Sequence, residues 1–126
     1  MHRTRRILLI ALVAVVAILG TLAWRDRWFA PEPELIGDLP RETMKIEAAF
    51  KQRIVSRFPI GSPGHVLVRT LSEQGFRPES TPKGVRQIAM YRNTNIVCRS
   101  SWVVYWSAGD DGRLTDIDAS FYAACL

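Results

Sequence analysis

The sequence predicts an α+β fold in two layers: a transmembrane helix at the N-terminus, then two helices packed on a three-stranded antiparallel meander. Three observations predict it. One apolar run opens the chain, two stretches with helical periodicity follow, and three stretches rich in β-branched and aromatic residues come last. Helices and strands that do not alternate favour segregated layers over a parallel sheet. The 126 residues, 48% of them hydrophobic, allow one modest core and exclude a disordered chain or a multidomain enzyme.

The first predicted element is a membrane-spanning helix, with residues 1–24 as the anchor. Ile7–Trp24 contains no charged side chain, and a helix of that length covers roughly 27 Å, close to the hydrocarbon thickness of a bilayer. Arg3, Arg5 and Arg6 precede it, and this positive charge favours a cytoplasmic N-terminus. The lipid bilayer is thus an expected partner, through residues 7–24. Aromatic residues that suit the membrane interface follow: Trp24, Trp28 and Phe29.

A cleaved signal peptide is the alternative for the same segment. Its basic region would be residues 1–6, its apolar region Ile7–Leu19, and Thr21–Ala23 would form an imperfect cleavage site. Either interpretation exports residues 25–126 from the cytoplasm.

The exported part carries little net charge. Removing the three leader arginines from the 17 Lys and Arg residues leaves 14, against 12 Asp and Glu. No basic stripe with interleaved aromatic residues stands out in it. A nucleic-acid partner is therefore not expected.

Residues 25–38 are predicted to form a linker and residues 39–126 the exported domain. The two prolines of Ala30–Glu34 favour an extended chain there. Asp38 is the candidate N-cap of a helix that runs to about Arg57. An apolar stripe at helical spacing marks its inward face: Ile46, Ala49, Phe50 and Ile54.

The next helix has signals at both ends. Ser62–Pro63 supplies an N-cap and a first helical residue, and the helix is predicted to run to Gln74. Gly75 in left-handed geometry, followed by Phe76 in contact with Leu71, predicts a Schellman end.

A proline-broken loop over Arg77–Gly84 precedes the meander. The strands are predicted over Val85–Arg92, Ile96–Ser107 and Arg113–Ala124, and the turns over Asn93–Asn95 and Asp110–Gly112.

The two cysteines test the register of the last two strands. If Asp111–Gly112 forms a two-residue type I′ turn, Asp110 pairs with Arg113 and the two apolar faces align. The same register places Cys98 opposite Cys125. A three-residue loop would put the apolar faces on opposite sides of the sheet.

An exported domain meets oxidising conditions, so a Cys98–Cys125 disulfide is predicted. The register makes the cysteines a hydrogen-bonded pair with Cα atoms roughly 5.5 Å apart. Closing a loop of about 28 residues should stabilise the fold by roughly 3–4 kcal/mol. The alternatives are free buried thiols and a redox or metal role.

The polar face of the sheet is the candidate partner-binding surface. In the predicted register Tyr105 lies opposite Asp118, and Ser101 lies opposite Tyr122. Exposed tyrosines beside small polar residues suit protein recognition. The alternative is an ordinary solvated sheet face, on which cross-strand tyrosines are merely favourable.

The sequence predicts no catalytic residue, no metal site and no cofactor. His65 is the one histidine of the exported part, so a catalytic triad or a His-rich metal site lacks partners. The aspartate cluster does not have EF-hand spacing, and we read it as turn and solvated-face residues. Its members are Asp110, Asp111, Asp116 and Asp118.

Several short motifs together resemble a known family. Phe58–Pro63 leads into a helix with Leu71, then Gly75–Phe76, and the meander closes with an Asp-Gly-Arg-Leu turn at Asp111–Leu114. Over residues 40–125 this arrangement resembles the SmpA/OmlA-like (BamE-like) envelope domains. The resemblance implies two helices on a three-stranded meander and a small binding or assembly module without catalysis. The chain differs from the lipoprotein members in having no cysteine at the end of its apolar leader.

We therefore expect a protein that is not an enzyme, anchored in the inner membrane by a single span, with its domain in the periplasm. Its partner would be an unidentified envelope protein. The alternative is a cleaved, secreted, inhibitor-like binding protein, and a small hydrolase is the least favoured interpretation.

Overall fold

The N-terminal helix is longer than the predicted span. The computed structural model describes residues 1–28 and 32–126, and α1 covers His2–Trp28. Within His2–Arg25 an 18-residue window has a mean hydropathy of 2.8 and none of that window is buried, so this helix is long and apolar enough to cross a membrane or to be a signal sequence. Phe29 and the start of the predicted extended segment Ala30–Glu34 lie outside the described residues.

The chain divides into two units, Met1–Glu32 and Pro33–Leu126. The second unit is α+β, as predicted, but its sheet has four strands and not three. The strands are antiparallel to their neighbours and lie in sequence order. Its elements are α2 (Thr43–Arg57), α3 (Gly64–Glu73), β1 (Arg77–Glu79), β2 (Gln87–Thr94), β3 (Cys98–Ala108) and β4 (Leu114–Cys125).

The additional strand, β1, lies in the predicted loop Arg77–Gly84. It pairs with the first half of β2, with Pro78 opposite Ala89. The loop prediction was wrong because a proline removes one N–H donor, and an edge strand needs only half of its backbone groups for pairing.

The core lies between the sheet and the two helices. The Phe50 ring of α2 packs edge-on against Trp102 of β3, with centroids 5.1 Å apart. Leu35 and Ile36, within the predicted linker 25–38, are 0% and 3% exposed and belong to the same core. The backbone N–H of Leu35 donates to Gln74 Oε1 at 2.8 Å, which ties this segment to the end of α3.

Both helices start later than predicted. Asp38 does not cap α2: its φ is 57°, a left-handed conformation that Asp tolerates, and α2 begins five residues further on at Thr43. Ser62 does not cap α3 either. Pro63 occupies the N-cap position, and the carbonyl of Ser62 accepts a hydrogen bond from Leu114 N at 2.9 Å.

The end of α3 confirms the predicted Schellman motif. Gly75 has φ 84°. Phe76 N donates to Leu71 O at 2.9 Å, and Gly75 N donates to Ser72 O at 3.1 Å.

The predicted β3–β4 register is confirmed, but the predicted turn is wrong. Pairing holds from Cys98 opposite Cys125 to Ser107 opposite Asp116, and a bulge then brings Ala108 opposite Leu114. The tight turn closes instead through Gly112 N, which donates to Gly109 O at 2.9 Å. The bulge absorbs one residue of β4, so the longer loop keeps the apolar faces aligned.

The β2–β3 turn lies two residues later than Asn93–Asn95. Asn95 Oδ1 accepts hydrogen bonds from Val97 N at 2.9 Å and Cys98 N at 2.6 Å. An Asx turn of this kind is a stable alternative to strand pairing. Ile96, predicted to start β3, is consequently a turn residue and is 94% exposed.

Candidate functional site

The disulfide forms between Cys98 and Cys125, as predicted. Their Cα atoms are 4.1 Å apart, which is the spacing of a non-hydrogen-bonded pair, so the predicted 5.5 Å pair was wrong. The next pair along carries the bond, from Leu126 N to Val97 O at 2.9 Å. The bulge explains the difference. It adds one residue between the turn and the rest of the ladder, so pairs predicted to be hydrogen-bonded become non-hydrogen-bonded and the reverse.

The four predicted binding residues lie on one side of the sheet, which we call the outer face. It is opposite the side that packs against α2 and α3. The register places Tyr105 beside Asp118 and Ser101 beside Tyr122, as the sequence predicts. The β3 and β4 residues of the outer face are Ser101, Val103, Tyr105, Ser107, Asp116, Asp118, Ser120 and Tyr122.

Two tyrosines meet at the centre of the outer face. Tyr105 and Tyr122 lie on either side of the Val103–Ser120 pair, and their hydroxyl oxygens are 3.4 Å apart. The two rings therefore lean over this pair. Val103 is 1% exposed although it lies outside the core cluster; Met90 of β2 lies opposite it on the same face, and the tyrosine pair flanks it on β3 and β4.

Two cations pair with the aspartates of the outer face, and sequence reasoning missed both contacts. Arg86 pairs with the Asp116 carboxylate, and its guanidinium carbon lies 6.0 Å from the Tyr105 ring centroid. Lys51 reaches from α2 to Asp118, with Nζ 2.9 Å from Oδ1. No sequence spacing indicates the Lys51 contact, because it joins two layers. Arg86 directly precedes β2 and could have been found only from the β2–β3 register.

The Tyr105 hydroxyl stays neutral at physiological pH. The hydrogen bond to Tyr122, then burial, then the negative charges of Tyr122 and Asp118 raise the pKa of Tyr105 to about 12, against a smaller opposing effect of Arg86. Burial acts to raise the pKa of Asp118, but hydrogen bonds from Lys51 and Ala119 N, together with the positive charges of Lys51 and Arg86, outweigh it and lower that pKa. The outer face thus presents a neutral Tyr105 hydroxyl beside the ion pairs of Asp116 and Asp118.

The other residues considered for chemistry are dispersed. His65 is exposed on α3. Asp111 Oδ1 accepts a hydrogen bond from Arg113 N at 3.0 Å within the β3–β4 loop, whereas Asp116 and Asp118 are paired with cations. Across residues 1–28 and 32–126, no three His, Cys, Asp or Glu side chains come together in a group that could hold a metal ion.

Comparison with known proteins finds no match to a protein-family model, a curated protein or a solved structure.

Proposed function

We propose that the chain is a non-catalytic, membrane-anchored module that binds another envelope protein through its outer face. The observation that carries this proposal is the Tyr105–Tyr122 pair, with hydroxyls 3.4 Å apart above the buried Val103. Tyr122 remains 56% exposed, so a partner can reach its ring and its hydroxyl together. Tyrosines of this kind contribute much of the affinity at protein interfaces.

The charges around the tyrosines support a protein partner over an ionic ligand. Asp116 and Asp118 are already paired with Arg86 and Lys51, so the face offers no unpaired charge at its centre. A surface with an apolar, hydroxyl-tipped centre and a charged border is typical of the core and rim of an interface. The resemblance to the SmpA/OmlA-like domains favours an envelope-assembly role.

An inner-membrane anchor with a periplasmic domain is the proposed location. The apolar helix α1 and the arginines that precede its apolar run favour it. The disulfide favours an oxidising compartment. Since an apolar helix near the N-terminus can also be a signal sequence, a cleaved, secreted, inhibitor-like module is the second candidate.

Partner capture tests the binding face. The detergent-solubilised full chain, produced in its own cells after crosslinking, is expected to retain a specific partner that the Tyr105→Ala/Tyr122→Ala variant loses. Arg69→Ala, an exposed change on α3, is the matched control and should retain it. Equal capture by all three proteins would contradict the proposed site.

The anchor is tested separately. We expect the chain to resist alkaline extraction from membranes and to have the intact mass of all 126 residues. A shortened mass in the soluble fraction would instead support the secreted alternative.

A further inference from the structure

The two edges of the sheet differ in how they are protected. The β1 edge is three residues long and contains Pro78. Its Glu79 forms an ion pair with Arg92 at 3.4 Å. Short length, proline and charge are the features by which edge strands avoid pairing with other chains. The other edge, β4, has twelve residues.

The ladder determines which β4 backbone groups point outwards from the sheet. Leu126 is hydrogen-bonded to Val97, and the neighbouring cysteine pair is non-hydrogen-bonded. Because the two kinds of pair alternate, Tyr122 and Ala124 bond to β3, whereas their neighbours direct N–H and C=O to the open edge. Those neighbours are Phe121, Ala123 and Cys125.

The first part of the β4 edge is occupied. Leu114 N donates to Ser62 O at 2.9 Å and Leu114 O accepts from Gly61 N at 2.8 Å. Further along, Ala119 N donates to the carboxylate of Asp118 at 2.8 Å. In both places, polar groups of the same chain form hydrogen bonds with β4 backbone groups that point to the open edge.

The last part of the same edge is unprotected. Ala123, Ala124 and Cys125 are exposed. Within the described residues, no hydrogen bond reaches the outward backbone groups of Phe121, Ala123 or Cys125. The segment 119–126 contains no charged residue and no proline. An exposed, uncharged edge of this kind is a template for strand addition.

We propose that this edge pairs with the same edge of a second copy of the chain, antiparallel about a two-fold axis at Ala123. The backbone N–H and C=O groups at the open edge of one copy then face those of the other copy, and the two Ala123 residues exchange both N–H···O bonds. Tyr122 lies opposite the small Ala124 of the second copy, on the outer-face side. Phe121 lies opposite the second copy's disulfide-bonded Cys125, a favourable contact of an aromatic ring with sulfur.

The side-chain pattern favours a second copy as the occupant. A two-fold axis brings identical residues together, so a charged residue near the axis would meet its own charge. None is present in 119–126. Large residues on one strand face small ones on the other, which allows both copies to keep their side-chain positions.

This inference rests on the proposed membrane anchor. Pairing over about five residues buries less than the roughly 800 Å² per partner of a stable interface. Confinement of both copies to one bilayer raises their effective concentration and compensates for the small area. We therefore expect association to depend on the protein-to-lipid ratio.

The test uses the full chain, labelled at its N-terminus with donor or acceptor dye and reconstituted in lipid vesicles. Energy transfer is measured against the protein-to-lipid ratio. Ala123→Pro removes only an outward N–H, so the ladder with β3 stays intact. We expect an association constant about tenfold lower, because both bonds at the axis are lost. Ala123→Ser is the matched control and should associate like the wild type.

Loss of the disulfide would reveal that Ala123→Pro misfolds, and a second variant then replaces it in the test. Ala123→Lys places two like charges at the axis and should weaken association to a similar extent. Wild-type chains that show no ratio-dependent transfer, or association that neither variant weakens, would overturn the proposal.

Two further outcomes separate this proposal from the proposed function. An anchored, monomeric chain that still captures its partner through Tyr105 and Tyr122 would overturn only the pairing of two copies. A monomeric chain whose partner capture is lost in Ala123→Pro would mean that an extended strand of another protein occupies this edge, which also overturns it. Release of the chain by alkaline extraction would overturn the anchor.

Discussion

Two neighbouring valines of β3 are buried in different ways. Val104 is 0% exposed within the core cluster that α2 and α3 cover. Val103 points to the outer face and is 1% exposed, but it lies outside that cluster. A layer of helices covers the first, whereas the second is surrounded by side chains of its own sheet, among them Met90, Tyr105 and Tyr122.

The difference shows what a binding face requires of its own fold. Helices that cover a core cannot move aside without unfolding, but tyrosine rings can change rotamer at small cost. The outer face is thus stable when unbound, and its side chains can still adapt to the partner that we propose. The core face gives the domain its stability, and the outer face depends on it for the register that brings the tyrosines together.

Removing the disulfide tests this dependence and has the largest expected effect. Cys98→Ser with Cys125→Ser should lower the free energy of unfolding by about 3–4 kcal/mol, because the unfolded chain regains the entropy of an open loop. Denaturant titration followed by tryptophan fluorescence measures it. The reduced wild type should behave like the double variant, and unchanged stability in both would contradict the prediction.

Replacing each of the two valines with alanine tests whether their surroundings differ in rigidity. Val104→Ala leaves a cavity between two fixed layers and should cost about 2–3 kcal/mol. Val103→Ala should cost about 1 kcal/mol, since the neighbouring side chains of the outer face can settle into part of the space. Both are measured by the same titration. Equal losses would mean that the tyrosine pair is as rigid as the helices.

Much of the fold could be predicted from local patterns. The end of α3 followed from Gly75 and Phe76, since the Schellman motif is encoded by adjacent residues. The strand register followed from alternation, because a slip by one residue would have exposed a whole apolar face. The turn was wrong for the same reason: a bulge satisfies alternation as well as a tighter turn does, and the pattern does not distinguish them.

The site was predictable only where it followed from the register. Tyr105, Tyr122, Asp118 and Ser101 came together because paired strands fix which residues are neighbours. Lys51 reaches Asp118 from another layer, and no spacing in the sequence indicates such a contact. The burial of Val103 was missed because alternation counts an odd position of β3 as solvated.

Removing one hydroxyl of the tyrosine pair tests the outer face at high pH. The pKa of Tyr105 is raised from 10.0 to about 12 in the folded state. Its contribution to stability is therefore complete below the unfolded pKa and is lost as the pH rises towards the folded one. Tyr105→Phe should lose about 0.5–1 kcal/mol at neutral pH and show a smaller alkaline loss than the wild type.

Denaturant titrations near pH 8 and about pH 11 measure this change in stability. Tyr91→Phe removes a tyrosine on the core side of the sheet and is the matched control. This variant should retain the part of the alkaline loss that Tyr105 contributes. A Tyr105→Phe variant with undiminished alkaline loss would show that the hydroxyl pair does not contribute to stability.

The smallest expected effect concerns the ion pair that links the two layers at the border of the outer face. The pKa of Asp118 is lowered in the folded state, because the opposing effect of burial is outweighed by hydrogen bonds from Lys51 and Ala119 N and by the positive charges of Lys51 and Arg86. The contribution of Asp118 to the free energy of unfolding is present above its unfolded pKa and is lost as the pH falls through its folded pKa. Since the Lys51 and Asp118 side chains are 54% and 31% exposed, Lys51→Met should cost only about 0.5 kcal/mol at neutral pH.

The acid range makes this small effect measurable. The wild type should lose more stability than Lys51→Met as the pH falls below about 4, so the two unfolding curves should converge. Lys45→Met, which breaks a pair with Glu42 within one helix, is the control for charge removal and should leave the Asp118 contribution in place. If Lys51→Met instead kept the acid dependence of the wild type, the lowered pKa of Asp118 would be due to the Ala119 hydrogen bond and the charge of Arg86 without Lys51. The helix layer would then have no electrostatic contact with the face that we propose binds the partner.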